Sequence, residues 1–241
     1  MPAPSLPEPP RRLPETFTER HNTITSLWAL IKERQVVHIR GTPATGKSTL
    51  AHLLARHVKI LEPQLEVYRV TWTEPSGNFC EFQSYNYLLN KLTHRSGESK
   101  DWLDVEGLLI IDEAQSSYRF SSLWNDLIKF LETGFGLRVA LFSSYGSASA
   151  HVEEARTSTP LLLNQSQRVS LQRFPERRDL CLLLSNDEFN DLVHRQCLSY
   201  GESQPFRPAS DLIQHLFELT KGHAAASTCV LEILAESQVS N

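Results

Sequence analysis

Long apolar runs, clustered cysteines and a surplus of positive charge are all missing from this 241-residue chain. No hydrophobic stretch approaches the roughly 20 residues that a membrane-spanning helix needs. The first residues, MPAPSLPEPPRRLPE, also lack the apolar core of a secretion signal. These absences predict an intracellular protein, cytoplasmic or nuclear, with no membrane partner. The four cysteines, Cys80, Cys181, Cys197 and Cys229, form no CxxC or Cys/His spacing. They are expected as buried, reduced thiols rather than disulfides or zinc ligands. A formal charge of −4 and a pI near 6.1 exclude a global positive field that would hold nucleic acid by counterion release. Any nucleic-acid contact has to be local.

What is present is a chain 40% hydrophobic and 22% charged, enough for one substantial core or a core with a small satellite. Proline is concentrated at the start: Pro2, Pro4, Pro7, Pro9, Pro10 and Pro14. Residues 1–15 therefore read as a disordered or polyproline arm, with Pro7 and Pro10 in PxxP spacing. No internal repeat follows.

From there apolar periodicity alternates between strand and helix. Ile24, Leu27, Trp28 and Ile31 share a helical face, and Val36 to Ile39 reads as a buried strand. Leu50, Leu53, Leu54, Val58 and Leu61 line a second helix ending before Pro63, and Leu65 to Thr71 reads as a second strand. After a loop with Pro75 and Gly77, Ser84 is the expected N-cap of a helix bearing Tyr85, Leu88, Leu89 and Leu92. The run Leu108 to Ile111, ending in Asp112 and Glu113, has the continuous hydrophobicity of a parallel strand covered on both faces. Ser121 or Ser122 is expected to cap a helix carrying Leu123, Trp124, Leu127, Ile128 and Leu131, with Gly134 ending it. Val139 to Phe142 and Gln167 to Leu171 are the fourth and fifth strand candidates. Beyond them only helical patterns occur, opened by a Ser185/Glu188 capping-box spacing. The expected layout is residues 16–172 as an α/β core and 173–241 as a small helical subdomain, with a winged-helix-like arrangement as an alternative.

The segment Gly41, Thr42, Pro43, Ala44, Thr45, Gly46, Lys47, Ser48 matches GxxxxGK followed by Ser or Thr, set between a predicted strand and a predicted helix. Glycines let the backbone close around phosphate oxygens, the N–H groups of the loop and of the helix start (Thr49 included) point at them, and Lys47 adds a mobile cation. The Ser48 hydroxyl is placed to ligate Mg²⁺. The second segment, GLLIIDEAQ, aims Asp112 at the C-terminal sheet edge, where open α/β folds bind ligands. Asp112 would hold Mg²⁺, and Glu113 would polarise an attacking water. Ser143, with Ser144, ends the fourth strand where a γ-phosphate sensor would sit. Arg168 is the best-placed arginine for reaching phosphates or a neighbouring protomer. Arg156, Arg173, Arg177 and Arg178 are weaker arginine candidates. Gln115 could orient water, report the nucleotide state, cap a helix or lie solvated, His38 reads as a hydrogen-bonded core histidine, and His223 follows Gly222 where a lid could touch the nucleotide.

This combination resembles the ASCE P-loop ATPases, in particular AAA+ and STAND proteins, from about Thr16 onward. The wording RGTPATGKSTL, LLIIDEAQSSY with LWNDLIKFL, ALFSSYGSAS and QRVSL looks most like the P-loop NTPase module of Crinkler-type proteins of fungi and oomycetes. The resemblance implies a three-layer P-loop NTPase sandwich with a parallel five-stranded sheet of order 5-1-4-3-2. It also implies a Glu113 strand beside the phosphate-loop strand and a helical lid over the nucleotide. The segment KGHAAA departs from it, having neither an AAA+ sensor-2 arginine nor the proline of the STAND GxP signature. In that family the module is one of several, so a stand-alone version and an excised fragment both stay open, and the length leaves no room for a separate effector domain.

The expected function is a Mg²⁺-dependent, ATP-hydrolysing switch acting through self-association or a protein partner. The runner-up is a nucleotide-gated interaction module with negligible hydrolysis. ATP rather than GTP follows from the resemblance and from the lack of an NKxD after the fourth strand. A helicase is disfavoured by the single phosphate loop, a small-molecule kinase by the acidic pair, and DNA binding by the last helices stays open.

Overall fold

Val36–Gly41 (β1), Glu66–Thr71 (β2), Gly107–Asp112 (β3), Leu137–Ser144 (β4) and Arg168–Val169 (β5) pair in parallel in the order β2-β3-β4-β1-β5. The computed structural model describes residues 13–72, 83–95, 101–131, 135–144, 161, 163–173, 177, 180–199 and 207–239. Most of the Pro-rich arm, and Pro75, Gly77, Cys80, Gly134, Arg156 and Arg178, lie outside them. The chain divides into two units, one of Arg20–Leu184 with His223–Ala225, the other of Met1–Glu19, Ser185–Gly222 and Ala226–Asn241.

In the first unit every residue of β3 is buried, as its unbroken apolar run requires of a strand covered on both faces. Alternation then sends Leu109 and Ile111 of β3, and Val139 and Leu141 of β4, to one face. There they pack with Tyr85, Leu88 and Leu89 of Tyr85–Leu92 (α3) and with Leu123, Trp124 and Leu127. The other face is covered by His21–Arg34 (α1) and Lys47–Leu61 (α2), whose buried Leu27, Ile31, Leu50, Leu54 and Val58 follow helical spacing. The result is a helix–sheet–helix sandwich. Ser84 caps α3 as expected, its hydroxyl accepting the Tyr87 N–H.

Four expectations are corrected. Strand β3 is not beside β1; β4 lies between them, so Glu113 is two strands from the phosphate-loop strand. The expected helix at Leu123–Ile128 is a π-helix, closed by the Lys129 N–H on the Trp124 carbonyl. Its buried Trp124 indole also donates to Ser117. That helix has no side-chain cap, because the Ser122 hydroxyl donates to the Gln83 carbonyl at 2.6 Å instead. Finally, β5 is two residues rather than five. Gln167 ends a 3-10 turn capped by Asn164, and the Ser170 carbonyl accepts from Leu182 N–H, which diverts the chain from β1. The burial expected of the thiols is corrected as well: Cys181 is buried, but Cys197 is only partly buried and Cys229 is exposed.

The second unit contains Asn186–Ser199 (α4), Ser210–Thr220 (α5) and most of Ala224–Val239 (α6). The Ser185/Glu188 capping box is formed at the start of α4, each side chain bonding the other's backbone N–H. Phe189 of α4 packs on Phe217 of α5 with ring centroids 5.4 Å apart. The Ser227 hydroxyl reaches that of Thr220 at 3.2 Å. Among the described residues no helix is long and apolar enough to cross a membrane.

Candidate functional site

The turn between β1 and α2 is shaped by its glycines. Gly46 has φ +84°, a left-handed backbone that costs a residue with a side chain about 1–2 kcal/mol. A Cβ on Gly41 would lie 2.6 Å from Leu182 Cδ1 and 2.9 Å from Thr45 Oγ1. Alanine at 44 also takes positive φ, 64°. The Thr45 hydroxyl ties the turn together by donating to the Thr42 carbonyl at 2.9 Å. Helix α2 then starts at Lys47 with no side-chain cap, so the N–H groups of its first turn are open to an anion.

Lys47 folds back over this loop, donating to the carbonyls of Gly41 at 3.2 Å and Thr42 at 2.7 Å. Burial pulls its ammonium below the ordinary lysine range, and the carboxylates of Glu113 and Asp112 oppose that pull. The cation and the two acids are therefore one electrostatic group, although they come from segments more than sixty residues apart.

Asp112 ends β3 and accepts hydrogen bonds from the Ser48 hydroxyl and the Glu113 N–H. Burial pushes its carboxyl above the usual range, those two hydrogen bonds oppose the rise, and the Glu113 charge adds to it. A buried anion next to a second anion is costly unless a cation joins it. The pair of hard oxygens, a serine hydroxyl and a carboxylate, suits Mg²⁺. The open N–H groups of the loop and Lys47 suit phosphate. The residues present fit both groups.

Glu113 has φ 54° and ψ 39°, a strained conformation for a residue with a side chain. Its carboxylate accepts from the Gln115 side-chain amide, whose oxygen accepts the Ser144 N–H at 2.9 Å.

The remaining candidates separate from this cluster. Ser143 is fully buried, with its hydroxyl 2.6 Å from His38 Nε2. Arg168 pairs with His38 across β1 and β5, three residues before the phosphate loop begins, and donates to the Leu163 carbonyl. Arg173 donates to the Leu184 carbonyl and Arg177 to the Ser166 carbonyl. His38 is the hydrogen-bonded core histidine expected. His223 directly precedes two alanines at the loop: the Ala225 N–H donates to the Ala44 carbonyl at 3.2 Å, and a Cβ on Gly46 would touch Ala224 Cβ at 3.4 Å.

One residue that supports the loop carries no signal in the sequence. Arg20, 4% exposed, donates to the carbonyls of Cys181, Leu182 and Leu183 at 3.0, 3.1 and 3.3 Å. It thereby fixes the segment whose Leu182 lies against Gly41. No local pattern announces a contact across 162 positions.

With its order 5-1-4-3-2 and the glycine loop at the C-terminal end of β1, an interior strand between β4 and β5, the core has the P-loop NTPase fold. No family model matches the chain, and no curated protein matches it. Solved structures similar to it include one of Drosophila ORC bound to DNA, at 17% identity over 95% of this chain and 57% of that one, TM-score 0.48. Another is a variant of Thermotoga maritima RuvB, at 16% identity over 88% and 60%, TM-score 0.45. A third is domain III of the Thermotoga maritima replication initiation protein DnaA, at 13% identity over 95% and 91%, TM-score 0.48. The chain thus spans less than two thirds of the ORC and RuvB chains. Sheet order and loop position define the class independently of these likenesses.

Proposed function

We propose that the chain is a Mg²⁺-dependent module that binds and hydrolyses ATP and acts as a switch of AAA+ or STAND type. The observation that carries this reading is that Lys47, folded onto the phosphate loop through the Gly41 and Thr42 carbonyls, forms one electrostatic group with Asp112 and Glu113 at the end of β3. When bound, ATP supplies the scissile γ-phosphate and Mg²⁺ neutralises the oxygens around it. The chain's own part follows from its residues. Loop N–H groups and Lys47 orient the phosphates, Ser48 and Asp112 hold the metal, and Glu113 takes a proton from the attacking water at a carboxylate oxygen. Arg168, engaged by Leu163, enters only as a group offered to a second copy of the chain. The motif wording supports kinship with Crinkler-type NTPase modules, and a readout through self-association or a protein partner accords with a module of this size.

Phosphate release with ATP and Mg²⁺ tests the reading. Glu113→Gln should keep ATP and stop release, while Lys47→Ala weakens binding by about tenfold or more. Wild-type release no faster than that of Glu113→Gln defeats it. Competition with GTP tests the base preference.

A second reading, nucleotide-gated interaction without turnover, is favoured by the lid residues Ala224 and Ala225, which meet the loop through a methyl group and a backbone N–H rather than an arginine. A rise in melting temperature with ATP but no phosphate release selects it.

A further inference from the structure

Glu113 has an unusual problem of placement. Its backbone is left-handed, it directly follows the last residue of β3, and it starts a short 3-10 turn, Ala114–Ser117. Nothing in that local geometry fixes where its carboxylate points. The side chain that holds it is Gln115, two residues on.

Gln115 is half-buried and makes two hydrogen bonds of opposite sense. Its Nε2 donates to Glu113 Oε2, and its Oε1 accepts the Ser144 N–H at 2.9 Å. These neighbours determine which way the amide faces. A flipped amide would set NH₂ against an N–H and oxygen against a carboxylate, so only one orientation is tolerated. Glutamate at this position could serve Ser144 but would repel Glu113, and a cationic side chain could serve Glu113 but not Ser144.

The far end of the bridge is equally specific. Ser144 is the last residue of β4 and stands opposite Gly41, the first residue of the phosphate loop, in the β1–β4 register. The Ser143 hydroxyl takes no part in this bridge; it is engaged by His38 at 2.6 Å. The connection from the loop-bearing strand to the acid therefore runs through Ser144 and Gln115.

We infer that Gln115 is the positioning residue for Glu113: it ties one carboxylate oxygen to the end of β4 and leaves the other for water, so that the acid's orientation follows the strand bordering the phosphate loop. This rests on the hydrolytic reading given above. Displacing the end of β4 relative to β3 would release or re-aim Glu113 without any change in the phosphate loop itself.

Two readouts in the nucleotide-free full chain test the bridge without turnover. By NMR, the Gln115 side-chain NH₂ should exchange slowly in the wild type and fast in Glu113→Ala. The Ser144 amide should exchange faster in Gln115→Met and at the wild-type rate in Gln115→Glu, which keeps the acceptor. A Ser144 amide indifferent to Gln115→Met, or a Gln115 NH₂ indifferent to Glu113→Ala, overturns the bridge. With ATP and Mg²⁺, both Gln115 variants should lower kcat about tenfold or more with KM within about threefold, and neither should lower the residual rate of Glu113→Gln further. Unchanged kcat in Gln115→Glu overturns the positioning role. A wild type with no turnover at all defeats the hydrolytic reading alone, and the two exchange measurements still decide whether the bridge exists.

Discussion

His38 offers the sharpest quantitative test of how the sheet beneath the site is built. It sits in the middle of β1, 2% exposed, with Ser143, Trp124, Arg40 and Arg168 around it. Burial, reinforced by the charges of Arg40 and Arg168, lowers its pKa from 6.5 to about 3. The imidazole is therefore neutral in the folded protein at any ordinary pH and holds Ser143 in one arrangement throughout. Because the folded value is depressed, the stability is fully present above pH 6.5 and is lost as pH falls toward 3. At pH 5 the unfolded imidazole is almost wholly protonated and the folded one almost wholly neutral. The gap of about 1.5 pH units below the unfolded value then costs about 2 kcal/mol at 1.36 kcal/mol per unit. Urea unfolding of wild type and His38→Gln at pH 8 and pH 5, followed by tryptophan fluorescence, isolates this term. All four tryptophans, Trp28, Trp72, Trp102 and Trp124, lie in the unit that contains His38. Between the two pH values the wild type should lose about 2 kcal/mol more than the variant. Equal losses would refute the argument, as would a charged His38 ring in the NMR spectrum at pH 5.

The other predictions concern the loop and its supports. Gly46→Ala should cost about 1–2 kcal/mol through its left-handed backbone, and Gly41→Ala about 1–3 kcal/mol through overpacking on the buried Leu182; both should also weaken ATP binding, measured with a fluorescent analogue. Asp112→Asn should raise the melting temperature of the nucleotide-free chain, since it removes a buried charge while leaving acceptors for Ser48 and Glu113, and should abolish the Mg²⁺-dependent part of ATP binding. A lower melting temperature would contradict the direction of the Asp112 shift. Arg20→Ala strips three carbonyls of their donor and should cost more than about 3 kcal/mol, since hydrogen bonds to charged groups are worth about 1.5–3 kcal/mol each. A loss below about 1 kcal/mol in denaturant titrations would show that the Cys181–Leu183 segment holds itself.

Much of the core was legible because its signals are local. Four apolar residues ending in two acids have the pattern of a buried strand with a charged C-terminal end, and the glycine before Lys47 is the residue type that takes a left-handed backbone without strain. Strand β5 was overestimated and the π-helix at Leu123–Ile128 was missed for one reason. Apolar spacing shows which residues are buried, not which hydrogen-bond partner ends a ladder or takes up an extra residue in a turn. DEAQ offered Gln115 as a residue that could orient water or cap a helix; its bonds to Glu113 and to the Ser144 N–H, 29 positions away, were not legible there.

By itself the sequence determined the phosphate loop, the paired acids and the alternation of strands and helices, since each rests on contacts or conformations within a few residues. Tertiary structure alone decided that Ser48 meets Asp112, that Ser143 turns to His38, that Arg20 pins the segment against Gly41, and that Glu113 is held through Gln115. Those are pairings between distant segments, and which distant groups meet depends on strand order and register, which bring Gly41, Asp112 and Ser144 to one edge of the sheet.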